Sequence, residues 1–152
     1  MALSLRQQGQ DWLLSCTANP SQTQQRWAQD ELALVTSGPR WRVAEAPLLV
    51  SVHAMQRIPS DGLGPVLAGI EGEHDRAWWL LPPDLDDELD EVPHLTVRPA
   101  GWRLACPPVL GAANGRVWLE RPDGTGRFTA PTALREALHS DRGAQVSWEA
   151  FG

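Results

Sequence analysis

Two segments of this chain are short apolar stretches that stop at a Pro-Pro pair, and these stops limit the folds that the chain can adopt. The first pair is Pro82 and Pro83, and the second is Pro107 and Pro108. Proline has no backbone N–H, so it cannot continue the hydrogen-bonded ladder in the interior of a sheet. We therefore expect short strands at residues 77–81 and 102–105, each of which leaves its sheet abruptly.

Periodicity and turn residues divide the rest of the chain into further short elements. Helices are expected at residues 5–18, 21–29, 82–92 and 131–140, the second with a capping box at Ser21 and Gln24. Further strands are expected at residues 31–36, 41–43, 48–52, 66–70, 94–97 and 117–120. Residues 48–52 form a continuous apolar run, which is typical of a strand buried on both faces. Flanking N- and C-terminal helices with six to eight strands between them indicate an α+β fold with a mixed or antiparallel sheet.

The length of 152 residues indicates a single domain, which we place at residues 1–142. Residues 143–152 are expected to be a C-terminal tail that would dock on the domain through Trp148 and Phe151. No apolar run is long enough to cross a membrane, and the N-terminus lacks the pattern of a secretion signal. Cys16 and Cys106 have no metal-ligand spacing, so we expect reduced thiols and a cytoplasmic location.

The charge of the chain argues against a grip on the phosphates of duplex DNA. The formal net charge is −6 and the isoelectric point is about 5.1, and all 13 basic residues are arginines. Proteins that bind nucleic acid usually present a basic face to the phosphates. The acidic balance therefore disfavours nucleic acid as a partner, although a local arginine cluster is compatible with it.

Neither metal chemistry nor hydrolase chemistry is indicated by the spacing of the polar residues. The four histidines show no zinc-binding spacing, and the chain has no Gly-x-Ser-x-Gly motif. The acidic run at residues 84–91 lacks the glycine and the final glutamate of a calcium-binding loop. We interpret this run as the solvated face of a helix and expect no metal and no cofactor.

Tryptophan dominates the aromatic residues, since the chain has eight tryptophans, two phenylalanines and no tyrosine. Tryptophans of this kind are expected to fill the core and its edges. The alternative is an exposed patch that stacks on bases or binds a partner protein. The candidates for such a patch are Trp78, Trp79 and Trp102.

Residues 47–120 resemble the second half of a primase-polymerase domain of the small bifunctional type found in actinobacterial and plasmid proteins. The resemblance rests on the order of three apolar segments, at residues 76–83, 97–108 and 116–119. In that family an apolar strand ends in an acid-x-acid pair that holds divalent metal. A histidine of the family contacts the nucleotide phosphates, and a third acid precedes a Val-Arg pair.

The resemblance implies that the metal chemistry of the family is lost in this chain. Ser51 and His53 occupy the places of the acid pair, Thr96 that of the third acid, and Arg76 that of the histidine. Serine, threonine and neutral histidine do not supply the negative charge with which carboxylates hold the cations of nucleotidyl transfer. The resemblance therefore implies a primase-polymerase-like pseudoenzyme with no catalytic residues.

Three hypotheses for the function follow. The first is a catalytically inactive regulatory or accessory domain that binds a protein through an exposed apolar patch bearing tryptophan, without a polar pocket. The second is a nucleotide or single-stranded nucleic acid binder in which Arg76, Arg98 and Arg103 contact phosphate and exposed tryptophans stack on bases. The third is a small enzyme of unrecognised class with His53 as its base. A site at which Arg76 and Arg98 converge would favour the second hypothesis.

Overall fold

A computed structural model describes residues 5–70 and 74–139 of the chain. The helices are α1 (Leu5–Ser15), α2 (Pro20–Ala28), α3 (Leu48–Arg57) and α4 (residues 131–139), with a 3-10 turn at Ser60–Gly62. The strands are β1 (Ala33–Thr36), β2 (Arg42–Pro47), β3 (Val66–Gly69), β4 (Arg76–Leu81), β5 (Thr96–Val97), β6 (Arg103–Cys106), β7 (Ala112–Ala113) and β8 (Arg116–Glu120). The expected α+β fold with flanking helices is confirmed.

The strands form two antiparallel sheets. The large sheet has the order β5-β2-β4-β3-β8-β7, and β1 pairs with β6 in a two-stranded sheet. Strand β4 lies between β2 and β3 and is buried from Ala77 to Leu81. Its run is apolar on both faces because both faces of the large sheet are covered.

Each face of the large sheet has its own core, and neighbouring residues of β4 alternate between them with the period of a strand. Members of the core shared with α1, α2 and the small sheet include Leu13, Trp27, Val35, Trp41, Val43, Trp78 and Leu104. Members of the core shared with α3 and α4 include Ala44, Ala54, Val66, Trp79, Leu81, Leu134 and Leu138.

The prediction of a strand at residues 48–52 is wrong, because this run forms the first half of helix α3. The core-facing residues Ser51, Ala54 and Ile58 follow the helical spacing i, i+3, i+7, and all three are buried. A polar residue at one of these positions hides the periodicity in the sequence. An apolar run of this length does not by itself distinguish a buried helix from a strand.

The prediction of a helix at residues 82–92 is also wrong, because these residues form turns. Glu91 has a φ of 63°, a left-handed conformation that a right-handed helix does not contain. Leu89 and Val92 are nevertheless buried in the core beneath α4, and Leu85 packs against that core. The acidic residues between them are exposed or half-exposed, so the run is a solvated turn region and not a helix face.

Smaller differences concern the ends of elements. Asn19 and not Ser21 caps α2, since its side chain accepts the backbone N–H of Gln22 at 3.1 Å. Cys16 and Cys106 are free thiols, as predicted. The tail proposed for residues 143–152 lies outside the described residues. Among the described helices, none has the length and apolar character needed to cross a membrane.

Candidate binding surface

Arg98 is held by an internal partner. Its Nη2 donates to Glu45 Oε2 at 2.9 Å, and its guanidinium lies over the Trp102 ring, 4.5 Å from the centroid. The other oxygen of Glu45 accepts from Trp78 Nε1 at 2.8 Å. The side chains of Arg98 and Glu45 are 29% and 15% exposed. A phosphate at this arginine would therefore compete with Glu45 for the guanidinium charge.

The other two arginines predicted to bind phosphate lie elsewhere. Arg76 begins β4 opposite Pro47, four positions along β2 from Val43, whose carbonyl accepts the backbone N–H of Arg98. At a rise of about 3.3 Å per residue, this separates the backbones of Arg76 and Arg98 by roughly 13 Å along the strand. Arg103 lies on β6 of the small sheet. Convergence of these three arginines is thus not found in the described structure.

The prediction of an exposed patch on Trp78 and Trp79 is wrong, because they are 5% and 0% exposed on the central strand β4. The guanidinium of Arg116 covers Trp78, 4.1 Å from the ring centroid. Trp102 is half-buried, and Arg98 stacks on its ring. Trp78 and Trp79 therefore belong to the core, and Trp102 lies at its edge beside Arg98.

The residues aligned with the lost acids lie on two different elements and differ in exposure. Ser51 and His53 lie on α3, where residues two positions apart face different sides. Ser51 is buried and its Oγ accepts from Trp79 Nε1 at 3.0 Å, whereas His53 is exposed. Thr96 lies on β5, opposite Glu45 of β2. The strand on which the alignment of Ser51 and His53 with an acid pair relied is absent, because this segment is helical.

Metal-ligating side chains are not grouped in the described ranges. Within residues 5–70 and 74–139, no cluster of three or more His, Cys, Asp or Glu side chains is placed to hold a metal ion.

An apolar groove of about 290 Å³ lies between α3 and β8, and we call it the α3/β8 groove. It is lined by Val52, Met55, Gln56, Leu63 and Leu119. Four of these five side chains are apolar, and Leu119 is 38% exposed. The groove thus gathers apolar side chains from three parts of the chain on one concave surface.

A shift in the pairing of β8 with β3 accounts for the exposure of Leu119. Val66 lies opposite Glu120 and Leu67 lies opposite Trp118, so Leu119 is opposite no residue of β3. Such a bulge redirects the side chains of the strand that carries the extra residue. Leu119 consequently points into the groove at the rim of the sheet.

Helix α3 supplies the other wall of the groove. Its buried side holds Ser51 and Ala54, which leaves Val52 half-buried and Gln56 exposed. Leu49, three positions before Val52, is 68% exposed and extends this apolar side toward the start of the helix. This wall was not predicted from the sequence, because residues 48–52 were interpreted as a strand.

A charged pocket of about 620 Å³ adjoins the groove, and Leu119 lines both. The charged residues of the pocket are Asp61, Glu120, Arg121, Asp123 and Arg127. Arg127 donates to Asp123 Oδ2 and to the carbonyl of Asp61, both at 3.1 Å. Arg127 and Asp123 therefore neutralise each other inside the pocket.

The pKa values of two carboxylates in the pocket, Glu120 and Asp123, are shifted in opposite directions. Burial raises the pKa of Glu120, although the nearby Arg127 guanidinium acts in the opposite direction. Burial alone would raise the pKa of Asp123 as well. Hydrogen bonds from Thr125 and the charge of Arg127 outweigh burial there and hold the pKa of Asp123 below its usual value. Glu120 is thus the carboxylate whose ionised form is poorly compensated.

The α3/β8 groove differs from the surface that the first hypothesis predicts, which is an apolar patch bearing tryptophan without a polar pocket. The α3/β8 groove has no tryptophan in its lining, and a polar pocket lies beside it. Sequence reasoning had singled out neither Leu119 nor Glu120, because the bulge that redirects them leaves no pattern in the sequence.

Comparisons of the chain with models of known protein families, with curated proteins and with solved structures find no match. Its function therefore has to be inferred from its own residues.

Proposed function

We propose that this chain is a regulatory or accessory domain that acts by binding another protein in the α3/β8 groove, without chemistry of its own. The observation that carries the proposal is the shallow, partly exposed group of apolar side chains around Leu119. Single apolar residues are common on protein surfaces, but apolar residues that adjoin one another in a concave site are typical of interfaces. A partner that fills this groove would remove apolar surface from water.

The contacts of Arg98 support protein binding over nucleotide binding. Its guanidinium already has a charged hydrogen bond to Glu45 and a ring contact with Trp102. A nucleotide phosphate would compete with Glu45 for this charge, and the net charge of −6 would oppose its approach.

The scaffold in this proposal is an inactive primase-polymerase-like domain. The order of the segments Arg76–Leu81, Arg103–Cys106 and Arg116–Glu120, all of which are strands, supports it. Residues 47–54 do not support the resemblance to primase-polymerase domains, because they are mostly helical where that family has a strand. The free thiols of Cys16 and Cys106 support a reducing, cytoplasmic location.

A library of displayed random peptides, selected on the immobilised protein, tests the proposed surface. The selection is repeated with Leu119→Glu, which places a charge in the groove, and with Leu110→Glu as a matched control. Leu110 is 48% exposed and does not line the groove. Because an unpaired charge resists burial, we expect enriched peptides to lose about tenfold or more of their affinity for Leu119→Glu. They should keep it for Leu110→Glu.

The melting temperatures of both variants establish that each is folded before selection. Peptides that bind all three proteins equally, or a selection without enriched peptides, would contradict binding in the α3/β8 groove.

A further inference from the structure

We propose that the partner segment joins apolar side chains, which fill the α3/β8 groove, to a neighbouring lysine or arginine that pairs with Glu120. This inference rests on the proposed function and adds the chemistry of the partner. It selects a cationic and apolar protein segment over a neutral or an acidic one.

The two halves of the surface are contiguous. Leu119 lines both the groove and the charged pocket, and Glu120 follows it directly in β8. Successive side chains of a regular strand point to opposite faces, but at this bulge Leu119 and Glu120 both line the charged pocket. Neighbouring side chains of one bound segment can therefore occupy the groove and reach the pocket at the same time.

The pocket has an excess of negative charge once its internal pair is discounted. Arg127 and Asp123 are bound to each other at 3.1 Å. The charges that remain are the carboxylates of Asp61 and Glu120 and the exposed guanidinium of Arg121. Electrostatic complementarity favours a partner that brings a positive charge to this site.

Glu120 is the carboxylate that gains most from such a charge. It accepts no hydrogen bond that the described residues supply, while Asp123 beside it accepts from Thr125 and Arg127. Burial also raises the pKa of Glu120, which means that its ionised form is incompletely solvated. An incoming ammonium or guanidinium would supply the missing charge-assisted hydrogen bond.

A binding titration with the peptides selected on the wild-type protein tests this inference. Each peptide is labelled and titrated by fluorescence anisotropy with the wild type, with Glu120→Gln and with Glu136→Gln. Glu136 is an exposed glutamate on α4 that lies outside the pocket. A second set of peptides has each lysine or arginine replaced by glutamine.

We expect the Leu119-dependent peptides to contain lysine or arginine beside their apolar residues. Glu120→Gln should weaken their binding by about five- to tenfold, as should removal of the peptide cation, while Glu136→Gln leaves it unchanged. The two changes together should weaken binding no more than either alone, because both remove the same pair. The peptide series changes no residue of the protein, so it tests the pair even without a folded Glu120→Gln.

Two outcomes would overturn the inference while leaving the proposed surface in place. The first is Leu119-dependent peptides that lack a cation, and the second is peptides that bind Glu120→Gln as tightly as the wild type. A wild-type dimer that Leu119→Glu converts to a monomer would show that a second copy occupies the groove, and would also overturn it. Absence of any Leu119-dependent peptide would instead contradict the proposed function itself.

Discussion

Glu45 is the residue through which three strands of the large sheet are connected by side chains. Its carboxylate accepts from Trp78 of β4 and from Arg98 after β5, at 2.8 and 2.9 Å. With the carboxylate only 15% exposed, this ion pair is less screened than one at the surface. Removal of Glu45 would leave both an indole N–H and a guanidinium without their acceptor.

Replacement of Glu45 by alanine is therefore expected to lower the free energy of unfolding by about 1–3 kcal/mol. The matched control is Glu31→Ala, which removes the pair between Arg26 and Glu31 at 3.4 Å, where both side chains are well exposed. The control should cost less than about 1 kcal/mol. Urea denaturation measures both values. Equal losses for the two variants would argue against a structural role for Glu45.

Cys106 gives the protein a distinct dependence on alkaline pH. Burial raises the pKa of its thiol far above the ordinary value, although Arg116 acts in the opposite direction. The Cys106 thiol of the unfolded chain has a pKa of about 8.5. Above that pH the unfolded state therefore binds fewer protons than the folded state, in which the thiol stays protonated. The free energy of unfolding should then fall as the pH rises.

The expected slope from Cys106 approaches about 1.4 kcal/mol per pH unit, and it should be absent in Cys106→Ala. The chain has no lysine and no tyrosine, so few other groups titrate in this range. Urea denaturation between about pH 7.5 and about pH 10 measures the slope. The cavity that alanine leaves lowers the free energy of unfolding equally at every pH, so only the loss of the thiol changes the slope. Identical slopes in the wild type and Cys106→Ala would refute the assignment.

At the scale of elements, helix α3 shows how burial can override a sequence pattern. Residues 48–52 are apolar apart from Ser51, which faces the core and accepts from the buried Trp79 Nε1. The serine is tolerated in the core because this hydrogen bond satisfies both groups. The apolar side chains that remain on the other side of the helix then form a wall of the α3/β8 groove.

Ser51→Ala is expected to lower the free energy of unfolding by about 1–3 kcal/mol, because it leaves the indole N–H of Trp79 buried without a partner. Gln56→Ala on the exposed side of α3 is the control, with an expected change within about 0.5 kcal/mol. Thermal unfolding monitored by circular dichroism compares the two. A neutral Ser51→Ala would show that this hydrogen bond does not stabilise the attachment of α3 to the sheet.

At the scale of the whole molecule, local patterns predicted the fold better than the site. The strands at residues 66–70, 77–81 and 117–120 and the helices near both ends were predictable, because apolar runs and turn residues mark them locally. The ion pair between Glu45 and Arg98 could not be predicted from the sequence, because it depends on which strands become neighbours. Burial of Trp78 and Trp79 has the same origin, since only the topology makes β4 a central strand.

The α3/β8 groove could not be predicted from the sequence for a related reason. Its walls come from α3, from the loop that holds Leu63 and from β8, which are distant in the sequence. The bulge at Leu119 depends on the pairing of two particular strands, and nothing local in the chain marks it. The candidate binding surface of this molecule is therefore assembled by the fold from distant segments.

The most direct test is recovery of partner proteins from an extract of the cells that make this chain. Wild type, Leu119→Glu and Leu110→Glu are immobilised in equal amounts, and the retained proteins are quantified by mass spectrometry. The proposal predicts at least one protein that wild type and Leu110→Glu retain equally and that Leu119→Glu loses. If every retained protein binds Leu119→Glu as well as it binds the wild type, the α3/β8 groove is not the binding surface.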